Sequence, residues 1–271
     1  MGFDSAGKLD SDSVQENLID MVHLQADTIN GVIASLDKIV DWSIANQKRT
    51  GYFAALYRKV TKKIKQGIEN GEFENAERME KLDVIFANRY LVAFEQYYTL
   101  QETTQSWDLA FKLTDKWEPI VLLHLMIGMN AHINLDLGIA AAQTVPAEEL
   151  PDLKNDFDKI NSILSSLVDE VQNELSKIWP LFKLIDKFAG RLDEKFADFG
   201  MEVARNQAWK LAEEFANCDQ DDQASLIKQT DCKVFLMGTL ATNPNFRLRL
   251  LLLLIRIGER QGVDKVIRIL E

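Results

Sequence analysis

The sequence predicts an all-α protein, a single irregular multi-helix bundle with one central buried helix. Apolar residues recur at three- and four-residue spacings over long stretches, the pattern of one-sided helices. No segment alternates apolar and polar residues for long enough to make a half-buried strand. Glycines and prolines are few, 13 and 5 among 271 residues, which disfavours a fold of many short strands and tight turns.

Residues 1–12 are small and polar and read as a disordered leader to a single helical domain over 13–271. Residues 28–47 place Ile29, Val32, Ile33, Leu36, Ile39 and Val40 on one face. The pattern repeats over 52–68, through Phe53, Leu56, Tyr57, Val60 and Ile64, and Asn70-Gly71 reads as its stop. A third long amphipathic helix is expected over 75–100, followed by a short one over 107–113. Asp115 is placed to cap the next helix, 118–142, with Pro119 in its first turn, where a missing N–H costs little. After a loop marked by Pro146 and Pro151, helices are expected over 156–188, bent near Pro180, and over 193–217. An acidic turn over 218–222 precedes an apolar stretch, 234–240. Asn243-Pro244-Asn245 then separates that stretch from a final pair, 246–260 and 263–270.

Composition excludes several functions. A formal charge of −11 repels phosphate and argues against nucleic acid as a partner. The longest apolar run, 250–255, is far short of the roughly 18 residues that span a bilayer. No apolar leader follows Met1, so the expectation is a cytoplasmic protein with Cys218 and Cys232 reduced, as small buried or half-buried hydrophobes. Residues 241–271 hold six basic residues against three acids. Basic amphipathic helices can lie on membranes, but the 250–255 run reads as a core helix. There is no phosphate-binding glycine loop, nucleophile elbow, HExxH or zinc-ribbon cysteine pair.

One segment stands out. Residues 120–142 read IVLLHLMIGMNAHINLDLGIAAA, apolar on nearly every side, as a buried central helix should be. Yet it carries His124, Asn130, His132, Asn134 and Asp136. Buried polar groups left unpaired cost roughly 1–3 kcal/mol each, so all five need partners. His124, Gly128, His132 and Asp136 recur every four residues and form one slowly winding stripe. His124, His132 and Asp136 are the candidate catalytic set, histidine as general base and Asp136 orienting it or holding a cation. Asn130, Asn134, Arg89 and Tyr57 are the candidate ligand contacts. His132 and Asp136, joined by His23 and Asp20, could hold a divalent metal ion. Arg89 interrupts an apolar stretch and needs a carboxylate; if that is Asp136, the stripe is an ion-pair network instead. Three readings stay open: a metal-assisted hydrolase of a fairly apolar small substrate, a non-catalytic small-ligand binder, and an interaction protein whose stripe is structural.

The His-to-Asp segment, together with GYFAALYRKVT over 51–61 and ARNQAW over 204–209, resembles an uncharacterised bacterial family, domain of unknown function 5995. The resemblance implies a single all-helical domain and brings no reaction with it.

Overall fold

Residues 23–160, 163–164 and 200–271 are described in the computed structural model of the protein. Helices dominate them and no strand occurs among them. In chain order these are α1 (Ile29–Ala45), α2 (Thr50–Glu69), α3 (Ala76–Tyr98) and α4 (Gln105–Thr114), then α5 (Val121–Ala131). A π-helical segment (His132–Leu137) carries α5 straight into α6 (Gly138–Thr144). Residues 150–160 are helical as well. The chain closes with α7 (Met201–Ala216), α8 (Gln220–Thr242), α9 (Phe246–Gly258) and α10 (Val263–Leu270).

Local side chains start several helices in the expected way, each accepting an amide of the first turn. Thr28 accepts from Gly31 N, Asn75 from Arg78 N, Asp219 from Asp222 N and Asn245 from Leu248 N. Asp219 and its acidic neighbours are thus the cap and first turn of α8. Other helix starts are capped by acids distant in sequence. The buried Asp231 accepts from Gln105 N and Ser106 N at 2.8 and 2.9 Å, joining α8 to the start of α4. Asp156 does the same for Glu74 N and Asn75 N, ahead of α3. Glu259, not Asp115, meets the start of α5, accepting from Val121 N at 3.1 Å. The positive end of each helix is where a buried carboxylate is best tolerated. Part of the chain's excess acid is therefore spent inside the fold.

The rod of α5, the π segment and α6 divides the core. On one side α1–α5 and α10 bury Leu36, Ile39, Phe94, Trp107, Leu125 and Ile267. On the other, α6, α7 and residues 150–160 bury Leu137, Ala141, Leu153, Phe157 and Trp209. Gly138 sets the approach of α6 to α7: a Cβ there would lie 2.5 Å from the Ala208 carbonyl oxygen. The wide π turn adds one residue to the rod and begins at His132, where such bulges commonly mark functional or strained positions.

Several expectations change. The central helix starts at Val121 rather than 118, and the apolar 234–240 stretch is the C-terminal part of the longer α8. The 250–255 run is not a core helix. Ile255 alone is buried along α9, while Leu250, Leu253 and Leu254 face solvent. Cys218 is half-buried as expected, whereas Cys232 is exposed. The leader over 1–12, Asp20, most of the 156–188 helix and the bend at Pro180 lie outside the described residues.

Candidate functional site

The structure buries His124, Asn130, His132 and Asp136 and sends them to three different places. Asn130 donates to the Val234 carbonyl at 2.9 Å, and its own oxygen accepts from Asn134 at 3.1 Å. Asn130 thus ties the rod to α8, and Asn134 holds its side chain from one turn along the rod.

Asp136 is the hub of the second place. Its Oδ1 accepts from Arg89 Nε at 2.7 Å and its Oδ2 from Trp107 Nε1 at 2.8 Å. His132 Nδ1 stands 3.4 Å from the same Oδ2, a loose contact one turn away. Burial works to raise the Asp136 pKa. The Arg89 guanidinium, with the His132 and Trp107 hydrogen bonds, outweighs it and holds the carboxyl below its ordinary value. The His132 ring stacks on Phe86 at 3.6 Å and meets Tyr57 edge-on at 4.5 Å, so desolvation lowers its pKa and keeps it neutral. His132 Nε2 has no protein partner, nor does the Tyr57 hydroxyl. Asp83, one turn before Ala87 on α3, carries an unpartnered Oδ2, and burial pushes its carboxyl up to about 7.

The third place is a cavity of about 20 Å³ among α2, α3, α4 and α5. Arg49, Tyr90 and His124 line it, with Phe53, Trp107 and Phe111 among its walls. Arg49 Nε, the Tyr90 hydroxyl and both His124 nitrogens are buried with no protein hydrogen bond, although the Pro119 carbonyl approaches the His124 ring. The Arg49 fork is anchored by Nη1 donating to the Thr114 carbonyl at 3.1 Å. Desolvation first, then the Arg49 and Arg256 charges, push His124 down to about 3. His124 is therefore a neutral imidazole in a positive field. Gly128, between the two histidines, does not leave open space: a Cβ there would sit 2.6 Å from the Phe53 ring. Phe53 fills the gap and separates His124 from His132. The Asp136 hub reaches this cavity through Trp107, whose indole it holds as one wall.

Among the described residues, His23 of the proposed metal set does not join His132 and Asp136. Asp20 lies outside the described residues. His23 is exposed, with its backbone N–H on Glu95 Oε2 at 3.2 Å, while His132 is buried. Among the described residues no group of three His, Cys, Asp or Glu side chains is placed to hold a metal. Sequence reasoning missed Arg49, Tyr90, Trp107 and Asp83. Asp83 and Tyr90 were open to discovery, because four-residue steps along α3 from Met79 pass through Asp83 and Ala87, with Tyr90 three further on.

Fold and site together define a helical bundle with a polar interior, a neutral histidine cavity on one side of Phe53 and a charged hub on the other. The chain belongs to the family of unknown function DUF5995, whose model matches residues 29–244. No curated protein and no solved structure matches it.

Proposed function

We propose that the protein binds a small anion inside the bundle, in the cavity lined by Arg49, Tyr90 and His124. One observation carries this reading: three residues around a single cavity each bring a buried polar atom without a protein hydrogen bond, Arg49 Nε, the Tyr90 hydroxyl and a His124 nitrogen. Such atoms cost roughly 1–3 kcal/mol each when left unmet, which a well-placed acceptor would recover. An anion can accept from the guanidinium Nε, the phenol and one imidazole N–H together. The field of Arg49 and Arg256, which adds to desolvation in holding His124 neutral, favours negative charge. Size narrows the ligand: ordinary metabolite sites span roughly 300–1,000 Å³. About 20 Å³ admits only one or two water-sized groups, so the guest is of chloride or formate dimensions.

The test is thermal unfolding of the full chain across a series of small anions at constant ionic strength, beside Arg49→Gln. Binding at a hundredfold excess over Kd adds about 2.7 kcal/mol, which is several degrees in Tm. A selective rise for one small anion, absent in Arg49→Gln, supports the reading. Equal behaviour of all anions, or of both proteins, refutes it.

His132 supports a second reading, a metal-free acid–base site, because Asp136 faces its Nδ1 while Nε2 has no protein partner. A metal-assisted hydrolase would instead place a cation beside the Arg89 guanidinium that already pairs with Asp136. Stoichiometric zinc, iron or manganese in purified protein, lost in His132→Gln, would favour that chemistry over both.

A further inference from the structure

The C-terminal helices carry an apolar surface that the interior site does not use. On α9, Phe246, Leu250, Leu253, Leu254 and Ile257 are exposed, Phe246 by 80% and Leu254 by 59%. At about 100° per residue these five fall on one stripe, and Ile255 on the opposite side anchors the helix to the body. Arg247 flanks one edge of the stripe and Arg249 the other, both exposed. The whole helix contains no acid, in a chain of net charge −11. Next to its end Trp117 is 51% exposed, held by Arg256 Nε donating to its carbonyl at 2.6 Å and by the Arg256 guanidinium 5.2 Å from its ring. On the preceding α8, Leu236 and Leu240 are exposed as well. Contiguous apolar surface of this kind marks a contact site.

We infer that α9 docks on an anionic lipid surface, its apolar stripe entering the headgroup boundary and Arg247 and Arg249 meeting the lipid phosphates. Charge selects this occupant. Both edges of the stripe are basic, so an anionic surface complements them, whereas a parallel pairing with the same helix of a second copy would set arginine against arginine. An anionic interface neutralises both edges at once, and an exposed tryptophan beside the stripe suits the same boundary.

Vesicle co-sedimentation of the full chain tests this, with phosphatidylcholine alone and with phosphatidylcholine containing about a third phosphatidylglycerol. The expected result is sedimentation with the anionic vesicles only, weakening as salt is raised. Removing two interfacial arginine charges should weaken binding about thirtyfold, and Arg247→Glu with Arg249→Glu at least that much. Leu250→Ser with Leu254→Ser should lower it to background, while far-ultraviolet circular dichroism shows both variants folded. Equal binding to both vesicle types, or binding untouched by the arginine changes, overturns the inference. So does a chain that ignores vesicles, whether it is a monomer or a dimer that the leucine changes dissociate.

Discussion

Asp136→Asn strikes the hub with almost no change of shape. The carboxylate now takes the Arg89 Nε and Trp107 Nε1 hydrogen bonds on separate oxygens. An amide offers one oxygen and one NH₂, so one of those two donors must face another donor, and the arginine loses its counter-charge. Breaking a buried ion pair from one side costs about 3–5 kcal/mol. The Arg89 side chain keeps 23% exposure, which favours the lower end, about 3 kcal/mol. At about 2–4 °C per kcal/mol for a chain of this size, Tm should fall by roughly 6–12 °C. Trp107→Phe, which deletes one donor and strands no charge, should cost less. Differential scanning calorimetry reads all of these, and a cycle with Arg89→Gln isolates the pair. A coupling of about 1–3 kcal/mol is expected between the two sites. A loss under about 2 °C for Asp136→Asn, or strict additivity with Arg89→Gln, would refute the view of Asp136 as the ionised centre of a buried pair.

Burial also sets how stability depends on pH. His124 is lowered to about 3, so the unfolded chain takes up a proton near pH 6.5 that the folded chain refuses. That contribution is present above about pH 6.5 and is lost as the pH falls toward 3, and His124→Asn should flatten this acid limb in urea titrations at stepped pH. Asp83 is raised to about 7, so its contribution runs the other way, present below about pH 4 and lost as the pH rises through 7. Asp83→Asn should therefore leave Tm nearly unchanged at pH 4 and raise it by several degrees at pH 8. The two glycines of the rod should differ. Gly138→Ala drives a Cβ into the Ala208 backbone carbonyl, whereas Gly128→Ala meets the Phe53 side chain rather than backbone. Overpacking costs about 1–3 kcal/mol, and guanidinium unfolding should place Gly138→Ala at the upper end and Gly128→Ala below it.

The helices were legible because their burial is one-sided: α1, α2 and α3 follow apolar periodicity within a few residues, and Thr28 and Asn75 announce their own starts. The burial of the polar rod was legible for the same reason, since polar residues amid apolar neighbours on every side have nowhere else to go. Its partners were readable only in part. Arg89 with Asp136 followed from the rule that a buried arginine needs an acid. Arg49 did not, because it comes to the His124 cavity through three-dimensional packing at the start of α2, and no periodicity encodes that. The π turn is equally silent, since HINLDL has ordinary helical composition. The caps supplied by Asp231, Asp156 and Glu259 act from far along the chain, so a scan of local capping signals chose Asp115 in place of Glu259. The 250–255 run misled because hydrophobicity reports affinity for an apolar surrounding without saying whose it is.

Imidazole nitrogen spectra of the ¹⁵N-histidine-labelled chain, titrated with formate and with chloride, test the anion site most directly. The chain has three histidines, one in the cavity, one beside the hub and one exposed, so each reports a separate place. His124 alone should shift and saturate, His132 and His23 should stay still, and Arg49→Gln should abolish the response. Three unresponsive histidines, or a common drift of all three with ionic strength, would contradict the anion site.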